Sequence, residues 1–320
     1  MTHDASLELA VIICTYKRED LLSRALDSLI AQDMSPTLRP AVYVVDNSDD
    51  GGAARVVAAA AARSAFPVHW LEAHPPNISV ARNAGVRASA EDHVAFIDDD
   101  ETAEPGWFNA VETAFRAHSF DVMFGGVEPD FEAPERVTPA ILTLFSRRLA
   151  EPAGFELYAF GQKKLSTLSL ATNNSLYRRA STLGDAEPFD PAFGNCGGED
   201  YDLFCRLQKR GRRFGWAPQA VVREFVPASR CDRRYLFRRF YAGGQAAAAI
   251  LARNATARVD HARWMLRARA LVQAGLLALY FPVALAKGRA ALTDYVFRFA
   301  GVFGKLSLGG LYPLYRSQDK

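Results

Sequence analysis

The sequence predicts an α/β fold, in which helices cover both faces of a mostly parallel β-sheet and a helical, membrane-associating region follows. Short, continuously apolar runs alternate with helix-like stretches over the first hundred residues, an order typical of parallel sheets. Polar clusters follow the apolar runs, at the strand ends where such sheets bind ligands. The last third of the chain is basic and apolar instead.

Four apolar runs are predicted to be the strands of the first half, because unbroken apolar sequence is expected of strands that are buried on both faces. They lie at residues 9–14, 41–45, 68–71 and 94–97. Leucines at helical spacing and alanine-rich sequence predict the helices between them. These helices would lie at residues 21–30, 53–63 and 78–88.

The middle of the chain is less regular. We expect extended segments at residues 121–127, 167–172 and 175–179, with a loop at 129–139. A helix is predicted at 199–210, followed by two short strands at 214–216 and 220–225.

The last third predicts helices, beginning with a basic one at 232–251. Residues 270–286 contain a single polar side chain, Gln273, and would span about 26 Å as a straight helix, slightly short of a bilayer core of about 30 Å. Pro282 is expected to interrupt this run, and residues 291–315 are again apolar and aromatic. We interpret the region as interfacial or re-entrant helices; a membrane span and a buried helical appendage are the alternatives.

The net charge of +2 conceals a strong asymmetry. Residues 1–205 carry 16 Lys/Arg against 31 Asp/Glu, a balance of −15, whereas residues 206–320 carry 22 against 5, a balance of +17. An acidic front and a basic rear suggest two partners: bound cations for the first, and anionic lipid or a pyrophosphate for the second. Two solvated faces of opposite charge are the alternative.

The four cysteines form no CxxC pair, which favours a reducing compartment over a disulfide framework. The six histidines show no ligand spacing, so we do not expect a zinc site. The N-terminal apolar run is short and has Asp4 and Glu8 where a signal peptide has basic residues. We therefore expect the first part of the chain to stay in the cytoplasm.

Three adjacent aspartates follow the fourth apolar run. In an extended chain Asp98 and Asp100 would point to one side and Asp99 to the other. Adjacent carboxylates repel one another unless a cation is present, and hard oxygen ligands suit Mg²⁺ or Mn²⁺. The run predicts a metal site that could neutralise a departing nucleoside diphosphate, with an acidic surface turn as the alternative.

Two glycines, Gly197 and Gly198, precede the acidic start of the helix predicted at 199–210. The helix dipole favours negative charge there and keeps a carboxylate ionised. An ionised carboxylate at the edge of a cleft can act as a general base toward a hydroxyl. Glu199 and Asp200 are therefore candidate catalytic residues, and simple capping of the helix is the alternative.

Two weaker patterns complete the candidate site. The amides of Asn173 and Asn174 suit sugar hydroxyls, although a turn explains such a pair better. Arg82, early in the helix after the third strand, could reach a diphosphate, or it could lie on the surface.

As a set, these segments resemble the GT-A glycosyltransferases of family 2. The matching segments are 11–18, 44–46, 81–85, 96–100, 172–179 and 197–206. The run 222–230 and the basic helix after it look like the bacterial exopolysaccharide branch, including succinoglycan-type enzymes. The resemblance covers roughly residues 9–245 and implies a Rossmann-like catalytic domain at 1–230. The remainder, 231–320, would be a membrane-associated helical region.

The resemblance implies roles at the donor end of the site. Asp46 would meet the nucleotide base or its ribose, and Thr15 and Arg18 would line the same pocket. Asp98 would hold the ribose or a metal-bound water, and Asp100 would ligate Mg²⁺ or Mn²⁺.

At the acceptor end, Asp200 would be the catalytic base, with Glu199 beside it to orient the base or the acceptor. Asn174, Gly198 and Arg206 would bind the sugar or the acceptor.

The sequence departs from related patterns at two places. It lacks the Gln-x-x-Arg-Trp motif of processive polymerases, which favours the addition of a single sugar. The late histidine that ligates metal in some relatives has no clear counterpart, and Glu224 is the nearest candidate for a third ligand.

The implied reaction is a one-step, inverting displacement on a nucleotide sugar, by family habit a UDP-sugar. The acceptor would be a polyprenyl-diphosphate-linked saccharide at the cytoplasmic face of the inner membrane, whose anionic surface would meet the basic tail. We expect no nucleic-acid partner. The alternatives are a sugar-phosphate nucleotidyltransferase, disfavoured because residues 15–19 lack glycine, and a catalytically silent scaffold, disfavoured by the intact acids.

Overall fold

A computed structural model describes residues 6–165, 167–255 and 258–315. Within these residues, nine strands form a single sheet. The strands are β1 (Leu7–Thr15), β2 (Leu38–Asp46), β3 (Val68–Glu72), β4 (His93–Phe96), β5 (Glu101–Ala103), β6 (Val122–Phe131), β7 (Glu156–Leu157), β8 (Ser175–Arg178) and β9 (Phe214–Val226). The α-helices are α1 (Glu19–Ile30), α2 (Ala53–Ala61), α3 (Ile78–Ala88), α4 (Trp107–Ala117), α5 (Pro139–Phe145), α6 (Arg179–Thr182), α7 (Glu199–Lys209), α8 (Arg233–Arg253), α9 (Val259–Ala286) and α10 (Arg289–Leu306).

The strand order is β3-β2-β1-β4-β8-β6-β9-β5, with β7 paired to β9. The first four strands in this order are parallel to one another, and β6 is parallel to β9. β8, β5 and β7 run antiparallel to their neighbours. The predicted mostly parallel sheet is therefore confirmed.

The alternation of side chains along β1 divides the core between the two faces of the sheet. Leu9, Val11 and Ile13 pack with residues of α1, α2 and α4. Ala10 and Ile12 point the other way and pack with residues of α3 and α7. The strand is apolar without a break because helices cover both faces of the sheet, as was expected from the sequence.

β1–β4 and α1–α3 lie where the sequence places them. The middle section differs, because β6 continues to Phe131 into the segment predicted as a loop. The two short strands predicted after residue 213 are one strand, β9, whose register to β6 shifts between Gly125 and Gly126. Residues 168–171 form no strand, and the helices α4 and α5 were not predicted.

The C-terminal helices pack on one another and on the preceding part of the chain. Phe240 of α8 stacks on Phe297 of α10, with ring centroids 5.4 Å apart. α9 runs through Pro282 without a break, so the expected interruption is wrong. Among the described helices, α9 alone is long and apolar enough to cross a membrane, by length and composition. Only 11% of its most apolar window is buried, which does not fit a buried appendage.

Candidate active site

A cavity of about 560 Å³ opens beyond the carboxyl ends of the parallel strands. Residues at the ends of β1–β4 and in the segments that follow them line it, together with the start of α7 and residues of α8. The predicted polar clusters therefore do meet at one edge of the sheet. The lining residues include Thr15, Lys17, Arg18, Asn47, Arg82, Asp98, Asp99, Asp100, Arg147, Asn173, Glu199, Asp200, Glu224, Arg230, Tyr235, Arg239 and Tyr315.

The three aspartates after β4 all line this cavity, which corrects the expectation that Asp99 would point away from its neighbours. The strand ends at Phe96, and the chain then turns. The backbone N–H of Glu101 donates to the carbonyl oxygen of Asp98 at 3.1 Å. Side-chain alternation applies to extended chain only, so the turn brings all three carboxyl groups to one side.

Arginines balance these carboxylates. Thr15 Oγ1 donates to Asp99 Oδ2 at 2.9 Å, and Arg18 Nη1 donates to Asp99 Oδ1 at 3.0 Å and to Asp100 Oδ2 at 3.2 Å. Arg230 Nη1 lies 3.1 Å from Asp100 Oδ2. Burial nevertheless raises the pKa of Asp99 to about 6, against the opposing effect of Arg18.

The donor chemistry here fits a hard divalent cation. Asp98, Asp100 and Glu224 all line the cavity, and carboxylate oxygens suit Mg²⁺ or Mn²⁺. Burial, followed by repulsion from Asp100, raises the pKa of Glu224 to about 8, against the opposing effects of Arg230 and Arg239. No group of three or more His, Cys, Asp or Glu side chains in the described residues is already arranged as a metal site.

The acids that begin α7 face the same cavity. Gly197 and Gly198, with φ of +81° and +106°, turn the chain into this helix. Arg82 Nη1 donates to Glu199 Oε1 at 2.5 Å, and its Nη2 lies 3.8 Å from Asp98 Oδ1. Arg82 thus bridges the two acidic groups.

Glu199 and Asp200 differ in environment. Glu199 is buried, and its Oε2 accepts no hydrogen bond from the described residues. Burial and then the neighbouring Asp200 raise the pKa of Glu199 to about 7, although Arg82 opposes the shift. Asp200 lines the cavity and accepts the Tyr201 N–H at 2.6 Å.

Asp46 does not line the cavity. Its Oδ1 accepts hydrogen bonds from the N–H and the hydroxyl of Ser48, at 3.0 and 2.6 Å, and its Oδ2 accepts the Ala53 N–H at 3.3 Å. The carboxylate therefore orders the loop into α2, while the next residue, Asn47, reaches the cavity. A nucleotide contact for Asp46 stays a prediction.

Asn174 also lies behind the cavity wall, and Asn173 lines it instead. Asn174 Nδ2 donates to the carbonyl oxygens of Gly126 and Ala220 at 2.7 and 2.8 Å. Its Oδ1 accepts the indole N–H of Trp107 at 3.0 Å. The side chain is fully buried and joins β6, β9 and α4, and the backbone of Asn174 has a φ of +42°.

The two remaining predicted sugar or acceptor contacts lie outside the cavity. A Cβ on Gly198 would come within 2.9 Å of Ile250 in α8, so this glycine permits close packing of α7 on α8. Arg206 does not line the cavity, and its Nε donates to Asp202 Oδ2 at 2.8 Å. Their assigned roles stay predictions.

A sequence profile described as "Glycosyltransferase like family 2" matches residues 6–241. The chain belongs to this family of glycosyltransferases.

Relatives and solved structures agree with this assignment. The glycosyltransferase is 29% identical over 254 residues to the succinoglycan biosynthesis protein ExoM of Rhizobium meliloti, covering 78% of this chain and 77% of that one. It is 31% identical over 132 residues to a glucosyl-dolichyl phosphate glucuronosyltransferase of Haloferax volcanii, covering 40% of each chain.

Two solved structures share the fold. One is the mannosyltransferase PcManGT from Pyrobaculum calidifontis in complex with GDP-Man and Mn²⁺, with a TM-score of 0.57, 19% identity, and coverage of 95% of this chain and 90% of that one. The other is TarS 1–349 of S. aureus in complex with UDP, with a TM-score of 0.54, 18% identity, and coverage of 80% and 69%. The expected GT-A fold is thereby confirmed.

Several cavity residues of the glycosyltransferase were not among the predicted site residues. Arg147 is buried and donates to the carbonyl oxygens of Gly125 and Ala171 at 2.8 and 3.1 Å, which no sequence signal indicated. Arg230 ends the run 222–230, and Arg239 belongs to the basic helix in the region that we interpreted as membrane-associated. Their basic character was visible, but only the fold brings Arg230 to Asp100 and Arg239 into the cavity wall.

Proposed function

We propose that this glycosyltransferase transfers one sugar from a nucleotide sugar to a hydroxyl of a lipid-linked saccharide, with inversion, in polysaccharide biosynthesis. The observation that carries the proposal is that Asp98, Asp100 and Asp200 line one cavity, with Arg82 between the two acidic groups. In a one-step inverting transfer, the leaving group departs from one side of the sugar and the acceptor hydroxyl attacks from the other. The cavity offers acids for both tasks: metal ligands for the leaving group and a general base for the hydroxyl.

At the donor end, Thr15, Arg18 and Arg82 would bind and orient the nucleotide diphosphate. Asp98 and Asp100 would hold Mg²⁺ or Mn²⁺, which when bound neutralises charge on the departing diphosphate. The short contacts of Arg18 with Asp99 and Asp100 support a preorganised donor site.

At the acceptor end, Asp200 would take the proton of the attacking hydroxyl. Its Oδ2 accepts no hydrogen bond from the described residues, whereas Oδ1 is held by the Tyr201 N–H, so one oxygen is available while the other fixes the group. Glu199, bound to Arg82, would orient Asp200 and the acceptor rather than accept the proton. No nucleophilic side chain is needed for a one-step inversion.

The ligands bound in the similar structures support a nucleotide-sugar donor. TarS structures hold UDP or UDP-GlcNAc, and the mannosyltransferase holds GDP-Man with Mn²⁺. The name of ExoM supports a place in polysaccharide synthesis. We propose a UDP-sugar as donor and a polyprenyl-diphosphate-linked saccharide as acceptor.

The helical region supports a location at the cytoplasmic face of the membrane. α9 presents Leu276 and Leu279 to solvent, with 62% and 78% of each residue exposed. A second cavity of about 540 Å³, between α8 and α10, is lined by Arg233, Arg234 and Arg289 beside apolar side chains. Arginines next to exposed apolar surface suit an anionic membrane interface.

A thermal-shift panel of nucleotide sugars, with and without Mn²⁺, tests the donor. We expect stabilisation by a UDP-sugar that grows when Mn²⁺ is added, because binding to the folded state raises its stability. Release of UDP on addition of a lipid-linked acceptor then tests transfer. Release of pyrophosphate from a nucleoside triphosphate and a sugar phosphate would contradict the proposal and indicate a nucleotidyltransferase.

A further inference from the structure

Six cationic side chains line the active-site cavity, and they differ in what they bind. Among the described residues, five of them have carboxylate or carbonyl partners. Lys17 pairs with Asp49, Arg18 with Asp99 and Asp100, Arg82 with Glu199, Arg230 with Asp100 and Glu224, and Arg147 with backbone carbonyl oxygens. Arg239 of α8 has neither kind of partner within the part of the chain that the structure describes.

Arg239 is held in place by aromatic side chains. The charge of Glu224 acts on it, but among the described residues the two form no close ion pair. Its guanidinium lies over the ring of Phe145, 4.8 Å from the centroid, and its Nη1 lies 3.4 Å from the Tyr235 hydroxyl oxygen. A guanidinium has five N–H donors in one plane. Stacking on Phe145 occupies a face of the group and one long hydrogen bond uses a single donor, so most of the donor edge is available to a ligand.

We propose that Arg239 is an anion subsite that binds a phosphate of the lipid diphosphate on the acceptor; this inference rests on the proposed function. A planar guanidinium matches phosphate oxygens in pairs. The cavity wall around it carries Leu144, Phe145 and the ring of Tyr235, which suits the start of a prenyl chain. The same helix leads on to α9, the exposed apolar helix from which such a lipid would approach.

The diphosphate of the nucleotide-sugar donor is the other phosphate group that Arg239 could bind. It would meet Arg18, Arg82 and the aspartates, whereas Arg239 lies on the α8 wall and stacks on α5. An acceptor phosphate bound by Arg239 would leave its saccharide to extend toward Asp200, within the same cavity.

Calorimetry with farnesyl diphosphate, in the presence of saturating UDP and Mn²⁺, tests the subsite on the full chain. We expect Arg239→Gln to weaken farnesyl diphosphate binding at least tenfold while UDP affinity, measured separately, is unchanged. Arg239→Lys should weaken it less, because the charge remains but the paired geometry is lost. The matched control is Arg238→Gln, the adjacent residue on α8, which lines neither cavity and should change neither affinity.

Equal farnesyl diphosphate affinity in the wild type and in Arg239→Gln would overturn the inference. A selective loss of UDP affinity would also overturn it, because Arg239 would then serve the donor. Melting temperatures show whether Arg239→Gln is folded. If it is not, the farnesyl diphosphate affinity of Arg239→Lys decides the test. If UDP binds and farnesyl diphosphate does not, the inference alone fails. If UDP does not bind the wild type, the proposed UDP-sugar donor fails, and titration with farnesyl diphosphate alone still tests the subsite.

Discussion

Arg82 and Glu199, which lie 117 positions apart in the sequence, form a buried ion pair at 2.5 Å. The pair joins the first turns of α3 to the start of α7, so it fixes the position of the candidate base relative to the strand ends. Removing one partner of such a pair leaves an uncompensated buried charge, which is costly. The ion pair to Arg82, a proposed donor-binding residue, therefore fixes the position of Glu199 and of the adjacent candidate base, Asp200.

Asp200→Asn should reduce sugar transfer by about 10²–10⁴-fold, the usual contribution of a general base. UDP affinity and the melting temperature should be unchanged, because Asp200 lines the cavity and, within the described residues, accepts a hydrogen bond only from the Tyr201 N–H. UDP release in the presence of acceptor measures the rate. Asp185→Asn, an exposed carboxylate outside the cavity, is the control. Wild-type turnover in the Asp200 variant would contradict the assignment.

Asp100→Ala should remove the gain in UDP affinity that Mn²⁺ gives, because a carboxylate ligand is lost. Calorimetric titrations of UDP with and without Mn²⁺ measure this gain in the variant and the wild type. Asp49→Ala removes an exposed carboxylate that pairs with Lys17, and it should keep the Mn²⁺ effect. A full Mn²⁺ effect in the Asp100 variant would show that the metal binds elsewhere.

Glu199 should make stability depend on pH in a defined direction. Its pKa is raised by burial from 4.5 to about 7, so the folded protein holds this proton at pH values where the unfolded chain has lost it. The contribution of Glu199 to the free energy of unfolding therefore falls as pH rises from about 4.5 to about 7. Glu199→Gln cannot titrate.

The free energy of unfolding of Glu199→Gln should rise relative to the wild type across that window, by up to about 1.4 kcal/mol per pH unit. The difference should level off above pH 8. Urea denaturation at pH 5, 6, 7 and 8 measures it. Glu187→Gln, at an exposed position, should give a curve parallel to that of the wild type. A constant difference for Glu199→Gln at all four pH values would refute the predicted pKa.

Asn174→Ala should lower the free energy of unfolding by at least about 3 kcal/mol, because it leaves buried partners in three elements without hydrogen bonds. Alanine at its positive φ adds strain. Asn173→Ala removes a donation to Glu101 at 2.9 Å and a long hydrogen bond accepted from Arg147 at 3.4 Å, and it should cost less. Urea denaturation compares the two. If Asn174→Ala is as stable as the wild type but has a raised KM for donor, the side chain binds sugar as the resemblance implied.

The double substitution Leu276→Glu and Leu279→Glu should move the protein from the membrane fraction to the soluble fraction. Both side chains are exposed on α9, so the melting temperature in detergent should not change. Ala58→Glu with Ala59→Glu, at exposed positions on α2, is the matched control and should not alter fractionation. An unchanged membrane fraction for the α9 variant would show that this helix does not anchor the chain.

The elements that were predicted well are those with local causes. β1 and α3 follow from apolar runs and helical spacing within a dozen residues. β9 was divided because Pro218 and Gln219 resemble a turn, whereas its pairing with β6, some ninety residues away, keeps it one strand with a shifted register. Pairing partners at that distance leave no mark on local periodicity.

The sequence by itself determined the order of β1–β4 and α1–α3, the family to which the chain belongs, and the acidic residues that follow β4 and begin α7. The tertiary structure decided which side chains face the cavity. It placed Asn174 behind the wall, brought Asp99 to the same side as its neighbours, and turned Arg239 inward. The physical reason is that residue type and spacing fix local conformation, whereas the direction and partner of a side chain depend on segments that meet only when the sheet and α8 are assembled.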